Sequence, residues 1–143
     1  MTSREHRIYS LLQQAAHSVK KAADRTLLKS TGLTTAQAAV LAVLVENSAT
    51  TQRELSRQLH LNESAMTAMV ARLLKLGYVT RTRSADDGRT WLIDLSPSGK
   101  KAVADTRGPF SEINSTLDRS IGSSQTAKLA RQLRSVIDAF DRD

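Results

Sequence analysis

Residues 81–91, RTRSADDGRTW, set three arginines (Arg81, Arg83 and Arg89) around an acidic pair, Asp86 and Asp87. Such a stretch admits three chemistries: an acid/base or metal site, a solvated turn, or a carboxylate that aims a neighbouring cation. Neighbours in a strand point to opposite faces, so the two carboxylates could converge only in a turn. No other ligand type accompanies them. The sequence holds no cysteine, which excludes a thiolate nucleophile and a disulfide framework. Ser, His and Asp all occur, but no nucleophile elbow, glycine-rich phosphate loop or H-E-x-x-H motif does. Catalysis is not expected, and no catalytic residue, metal or cofactor is assigned.

The formal net charge is +7 and the pI about 10.2, which suggests an anionic partner. The location of the charge weakens that suggestion. Residues 1–30 carry six Lys/Arg against two acids, whereas residues 51–95 carry seven against five. A basic, solvated helix face explains the first block. The 143 residues fit one domain, on the usual scale of roughly 100–200 residues. No apolar run approaches the ~20 residues that span a bilayer, and MTSREHRIYSLLQQ is too polar for a signal peptide. A soluble, cytoplasmic protein without membrane association is expected.

The elements that must position the arginines can be read from periodicity. From Glu5 to about Lys29, Ile8, Leu11, Leu12, Ala15, Val19, Ala22, Ala23 and Leu27 form the stripe of a long amphipathic helix. Gly32 stops it, and Thr34 or Thr35 caps TAQAAVLAVLVEN, which is apolar on most sides and should be buried. Thr51 and Glu54 have capping-box spacing before QRELSRQL. After the break at HLN, Asn62 caps ESAMTAMVARLLKL, which Gly77 ends. Residues 78–83 and 90–95 are rich in Val, Thr, Trp, Leu and Ile around a polar, glycine-containing stretch, which reads as a β-hairpin. Ser96-Pro97 opens a further helix, in which Val103, Phe110, Ile113, Leu117 and Ile121 stay in phase across Gly108-Pro109. That phase predicts one kinked helix. Gly122 ends it, Ser123 or Ser124 caps the last helix, and Leu129, Leu133, Val136, Ile137 and Phe140 form its stripe.

A helix-turn-helix followed at once by a hairpin is a winged helix, whose second helix can enter a DNA major groove while the hairpin reaches a minor groove. Met66, Met69, Val70, Leu73 and Leu74 should face inward. Ser64, Ala65, Thr67, Ala68 and Arg72 are left open, with Ser64 and Thr67 short enough for base edges and Arg72 long enough for the backbone. The alternative is a core helix with an ordinary polar face. The predicted class is mostly α (α+β), with a winged part at 34–95 and dimerisation helices at 1–33 and 96–143. The first and last apolar stripes lie far from the middle in sequence and need each other or a second copy, as a symmetric dimer provides.

The stretch TQRELSRQLHLNESAMTAMVARLLKLGYVTRTRSADDGRTWLIDLSPSGK, residues 51–100, resembles MarR-family transcriptional regulators. Its most specific piece is Asp87-x-Arg89, then Leu95-Ser96 and Gly99, similar to the family's D-x-R…L-T…G wing; RLLKLGYV resembles the family's R-L-E-x-x-G-L-[IV]. The resemblance implies a homodimer on a pseudopalindromic operator in double-stranded DNA, often a repressor, with Arg89 in the minor groove and Asp87 holding the wing and its arginine. The implied DNA-binding set is Thr51, Gln52, Arg53, Asn62, Ser64, Ala65, Thr67, Ala68, Arg72, Arg81, Arg83, Asp87 and Arg89. Three residues depart from the pattern. Gly88 stands where a second arginine is common, Ala68 where many relatives carry a recognition-helix arginine, and Ser96 for the usual threonine. The expectation is a wing that depends on a single cation, Arg89, with specificity leaning on DNA shape.

His6, Tyr9, Gln13, His17 and Lys20 share one polar stripe of the first helix. Some relatives bind small aromatic acids, so Tyr9, Gln13 and His17 are candidates for a small aromatic or anionic effector. A solvated or dimer-facing stripe is the plainer reading, and two histidines eleven apart make a poor zinc site. His60, at the helix-turn-helix turn, reads as structural or phosphate-contacting. A different class also stays open: a winged-helix dimer that serves protein assembly or binds DNA without a dedicated operator.

Overall fold

Apolar periodicity and its caps are realised as helices in the computed structural model, which describes residues 4–141, with side chains from Arg7. The order is α1 (Arg4–Thr31), α2 (Thr35–Asn47), β1 (Thr50–Thr51), α3 (Gln52–Leu59), α4 (Glu63–Lys75), β2 (Val79–Arg83), β3 (Trp91–Leu95), α5 (Pro97–Asp105), α6 (Arg107–Ile121) and α7 (Thr126–Phe140). The three strands form one antiparallel sheet in the order β1-β3-β2. This is the mostly helical winged architecture expected. No single helix among the described residues is long and apolar enough to cross a membrane.

The chain divides at Pro109/Phe110 into two units, which are taken one at a time. In the first, α2 supplies Val40, Leu41 and Leu44 to a core shared with Leu33, Leu55, Met66, Val70, Leu73, Val79, Ile93, Leu95 and Ala102. Met66, Val70 and Leu73 are buried as expected on α4, while Met69 and Leu74 are half-buried at its margin. α5 belongs to this unit through Gly99 and Ala102, although the sequence groups it with the dimerisation helices. In the second unit, α7 has no buried residue; Leu133, Val136, Ile137 and Phe140 all stand exposed.

One local expectation holds and three are corrected. Thr34 makes the complete capping box with Gln37. At α3 only half a box forms: Thr51 Oγ1 accepts from the Glu54 amide (3.1 Å), but the Glu54 carboxylate turns away to Arg57 and Gln58. A guanidinium three residues on is a stronger partner than a backbone amide. The helix after Ser96 is broken at Thr106, not merely kinked at Gly108-Pro109. Thr106 gives both its amide (3.0 Å) and its hydroxyl (2.6 Å) to the Val103 carbonyl, closing α5. Pro109 then falls in the first turn of α6, where its missing N–H is not needed. Finally, α7 starts from Gln125 in a helical conformation, with no side-chain cap. Neither Ser123 nor Ser124 caps it, because a tight turn, Gln125 amide to Gly122 carbonyl (2.8 Å), delivers the chain directly into the helix.

Two ties hold α1 and α5 in place. Asp24 Oδ1 accepts from the amide and the hydroxyl of Thr35, both at 2.7 Å, and Oδ2 pairs with Lys20 (2.9 Å). These donors, the Thr35 amide foremost, hold the Asp24 carboxyl down at about 2. Its contribution is therefore full above about pH 4 and is lost as the pH falls through the folded value. Asp24→Asn should cost about 1 kcal/mol at neutral pH and flatten the acid limb of a pH–stability curve; an unaltered acid limb would contradict this. At Gly99, a Cβ would lie 1.9 Å from the Tyr78 carbonyl oxygen. Gly99→Ala should lower the unfolding free energy by about 3 kcal/mol in denaturant titration, and an unchanged midpoint would show the packing there to be loose.

Candidate nucleic-acid interface

α3 ends at His60, whose left-handed backbone (φ 54°) turns the chain toward Asn62. His and Asn tolerate that region better than most residues, so His60 has a structural role here. Asn62 Oδ1 accepts from the Ala65 amide (2.7 Å), as Thr51 does for α3. Both side-chain oxygens are engaged in capping. Ser64, Ala65, Thr67, Ala68 and Arg72 line the exposed face of α4, and Arg53 is exposed on α3. Thr67 is less available than its size suggests. Its hydroxyl donates to the Glu63 carbonyl (2.8 Å) and accepts from Gln52 Nε2 (2.7 Å). Gln52 keeps its side-chain carbonyl for an outside donor, so the polar contact on this face passes from Thr67 toward Gln52.

α4 is joined to the wing by an interlocked turn. Gly77, at φ 78°, lets the Gly77 and Tyr78 amides bond back to the Leu74 and Leu73 carbonyls, both at 3.0 Å. β2 then pairs with β3 from Val79↔Leu95 to Arg83↔Trp91. The returning strand is fastened by the Ser96 amide to the Tyr78 carbonyl (3.0 Å), and by the Ser96 hydroxyl, which donates to the Gly77 carbonyl and accepts from the Gly99 amide.

At the wing tip, Asp87 Oδ1 accepts from the Arg89 amide (2.9 Å) and Oδ2 from the Thr90 hydroxyl (3.0 Å), while its carbonyl accepts from the Thr90 amide (3.0 Å). The Arg89 amide, then the Thr90 hydroxyl, hold the Asp87 carboxyl below its ordinary value. Asp87 therefore fixes the backbone that carries Arg89, not its guanidinium. Asp86 is exposed and meets Ser84 only through its amide (3.3 Å). The expectation of a single cation at the tip is corrected by Arg83, whose Nη1 donates to the Gly88 carbonyl at 2.7 Å. A guanidinium thus stands where the sequence shows only glycine. The guanidinium carbons of Arg81 and Arg83 lie 4.5 and 4.2 Å from the centre of the Trp91 ring.

A family model described as MarR family matches residues 31–90. The organic hydroperoxide resistance transcriptional regulator of Bacillus subtilis is 30% identical over 95 residues, 66% of this chain and 64% of the relative. The chain thus spans a little under two thirds of that relative's length. A probable transcriptional regulator from Pseudomonas aeruginosa superposes with a TM-score of 0.82 at 28% identity, over 90% of this chain and 96% of that one. Residues 31–90 are thus similar to the MarR family. A MarR mutant from E. coli complexed with operator DNA shares the fold, with a TM-score of 0.78 at 24% identity over 94% and 99% of the two chains. The relatives are transcriptional regulators, not enzymes.

The effector candidates on α1 are dispersed. Tyr9 and Gln13 are exposed, and His17 lines a shallow hollow with Lys20, Lys21 and Asp24; the His6 side chain lies outside the described residues. A larger cavity, which the sequence did not indicate, opens between α2, β3 and α5, lined by Leu44, Val45, Asp94, Lys100, Val103 and Arg107. These residues are scattered over sixty positions, and no motif joins them. The role of Asp87 is directly testable. Asp87→Ala should speed amide exchange at Arg89 and Thr90 about tenfold with little change in melting temperature. Unchanged exchange at both amides would show that the carboxylate does not hold the tip.

Proposed function

We propose that the chain is a homodimeric, sequence-specific DNA-binding regulator that acts as a repressor on a pseudopalindromic operator. The carrying observation is the joint placement of the exposed α4 face and the Arg83/Arg89 wing tip on one rigid junction at Gly77, Tyr78, Ser96 and Gly99. The geometry suits α4 in a major groove, with the wing cations reaching phosphates and the adjacent minor groove. The E. coli MarR mutant of the same fold was solved on operator DNA, which supports this reading.

The dimer rests on exposed apolar surface. Ile8 (64%), Tyr9, Leu11 and Leu12 stand out on α1, and Leu133, Val136, Ile137 and Phe140 (83%) on α7. Contiguous helical stripes of this kind mark an interaction surface, and a second copy related by a two-fold axis covers them. Two α4 helices would then lie about 34–36 Å apart, one helical turn of DNA. The relative from B. subtilis is named for organic hydroperoxide resistance. These 143 residues hold no thiol, so the proposal does not extend to thiol-based peroxide sensing. For a small aromatic or anionic effector, the cavity with Lys100, Arg107 and an apolar wall is favoured over Tyr9, Gln13 and His17.

The test is a gel shift with the DNA upstream of the chain's own gene, across a salt series and against competitor. Competition-resistant binding with a steep negative slope of log affinity against log salt is expected, and Arg89→Ala should weaken it about tenfold or more. No shift at low salt would favour an assembly role, and full affinity in Arg89→Ala would remove the wing from the interface.

A further inference from the structure

Trp91 is the sole tryptophan of the sequence, and it stands on the wing, 39% exposed, where the DNA-binding pattern gives no reason for an aromatic residue. The register explains its company. Alternate residues of a strand share a face, and directly paired residues share it across strands. Val79, Arg81 and Arg83 of β2 therefore lie on the same face as Leu95, Ile93 and Trp91 of β3. The inner members, Val79, Ile93 and Leu95, are buried in the core with Met66, Val70 and Leu73 of α4. Arg81, Arg83 and Trp91 continue that face outward, on the side of the hairpin that packs against the recognition helix.

Both guanidinium carbons, at 4.5 and 4.2 Å from the ring centre, lie within the ~6 Å over which an aromatic quadrupole attracts a cation. Among the described residues neither guanidinium meets a carboxylate. Stacking engages the flat face of a guanidinium and leaves its N–H edges free, and those edges match phosphate oxygens. Arg83 spends one N–H on the Gly88 carbonyl, which fixes it beside the tip, and keeps the rest. An unstacked arginine on a strand would have to surrender its side-chain freedom when it met a phosphate. Here the ring has already restricted it.

We propose that Trp91 is a positioning residue of the DNA interface: its ring pre-orients Arg81 and Arg83 as a phosphate-facing pair beside Arg89, in place of the tip arginine that Gly88 lacks. The inference rests on the DNA-binding reading above. It assigns Trp91 no base contact of its own, so the effect should not depend on sequence.

The experiment measures affinity for two duplexes, one from upstream of the chain's own gene and one of mixed sequence, across a salt series. Wild type, Trp91→Phe, Trp91→Ala, the Arg81→Ala/Arg83→Ala pair and the triple variant are compared, with circular dichroism to confirm folding. Trp91→Ala should weaken binding to both duplexes about tenfold, the order expected when a cation–π interaction is removed, and Trp91→Phe should restore most of it. The salt slope of Trp91→Ala should be shallower by about 0.9 for each phosphate that the arginines no longer neutralise. In the triple variant the Trp91 change should add little, because it acts through the two arginines. Quenching of the single indole on titration of wild type with either duplex would place the ring at the interface. If wild type binds and Trp91→Ala matches it, or the losses simply add, the inference is overturned and the DNA reading stands. If wild type binds neither duplex at low salt, the DNA reading fails and takes the inference with it.

Discussion

The winged part of the molecule depends on two adjacent carbonyls, those of Gly77 and Tyr78. The end of α4, both strands of the wing and the start of α5 meet there. The Tyr78 carbonyl accepts from the Ser96 amide and leaves no room for a Cβ at Gly99, while the Gly77 carbonyl accepts from the Ser96 hydroxyl. Ser96 also caps α5. A hydroxyl that closes a helix and a hairpin at once removes the freedom of each to swing on the other. The wing thereby leaves the body at an angle set by where α4 stops. This gives the spacing Leu95-Ser96…Gly99 a physical meaning: the serine is a shared fastener, and the glycine is the space it requires.

Further out, stability gives way to presentation. The tip, residues 84–90, has no core beneath it and is held by polar contacts alone, chiefly those of Asp87. Exposed contacts of this kind are individually weak, so the tip is ordered by number and geometry. The acidic pair in a basic stretch is then no paradox. One carboxylate organises backbone amides so that cations on either side of it are displayed; the other is solvent-facing. Arg83, drawn to the Gly88 carbonyl and stacked on Trp91, brings a second charge to a tip that looks singly charged in sequence.

What the sequence disclosed, and what it withheld, divides by range. Gly77, Asn62, Ser96 and the hairpin limits were legible because each is a local rule: a cap, a left-handed turn, two β-forming runs about a polar, glycine-containing turn. The inner face of α4 followed from spacing alone. The two-residue β1 could not be foreseen, since it exists only through pairing of Thr50 and Thr51 with Ile93 and Leu92 some forty residues away. The Glu54 half of the capping box yielded to Arg57, and the Thr67 hydroxyl to Gln52 and Glu63; in both, the spacing allowed one partner and the fold offered a better one. The charge beside Gly88 was hidden for the same reason. A β-hairpin brings residue 83 to residue 88, and a motif read along the chain counts only residue 88.

The central claim is that α4 and the wing meet DNA as one fastened unit. Hydrogen–deuterium exchange of the protein, alone and with saturating upstream duplex, tests it most directly. In the free protein, the amides of Tyr78, Ser96 and Gly99 should be among the slowest to exchange. Duplex should then raise protection together at residues 63–68 and 83–91. Protection confined to α4, with the wing exchanging as fast as in the free protein, would contradict it.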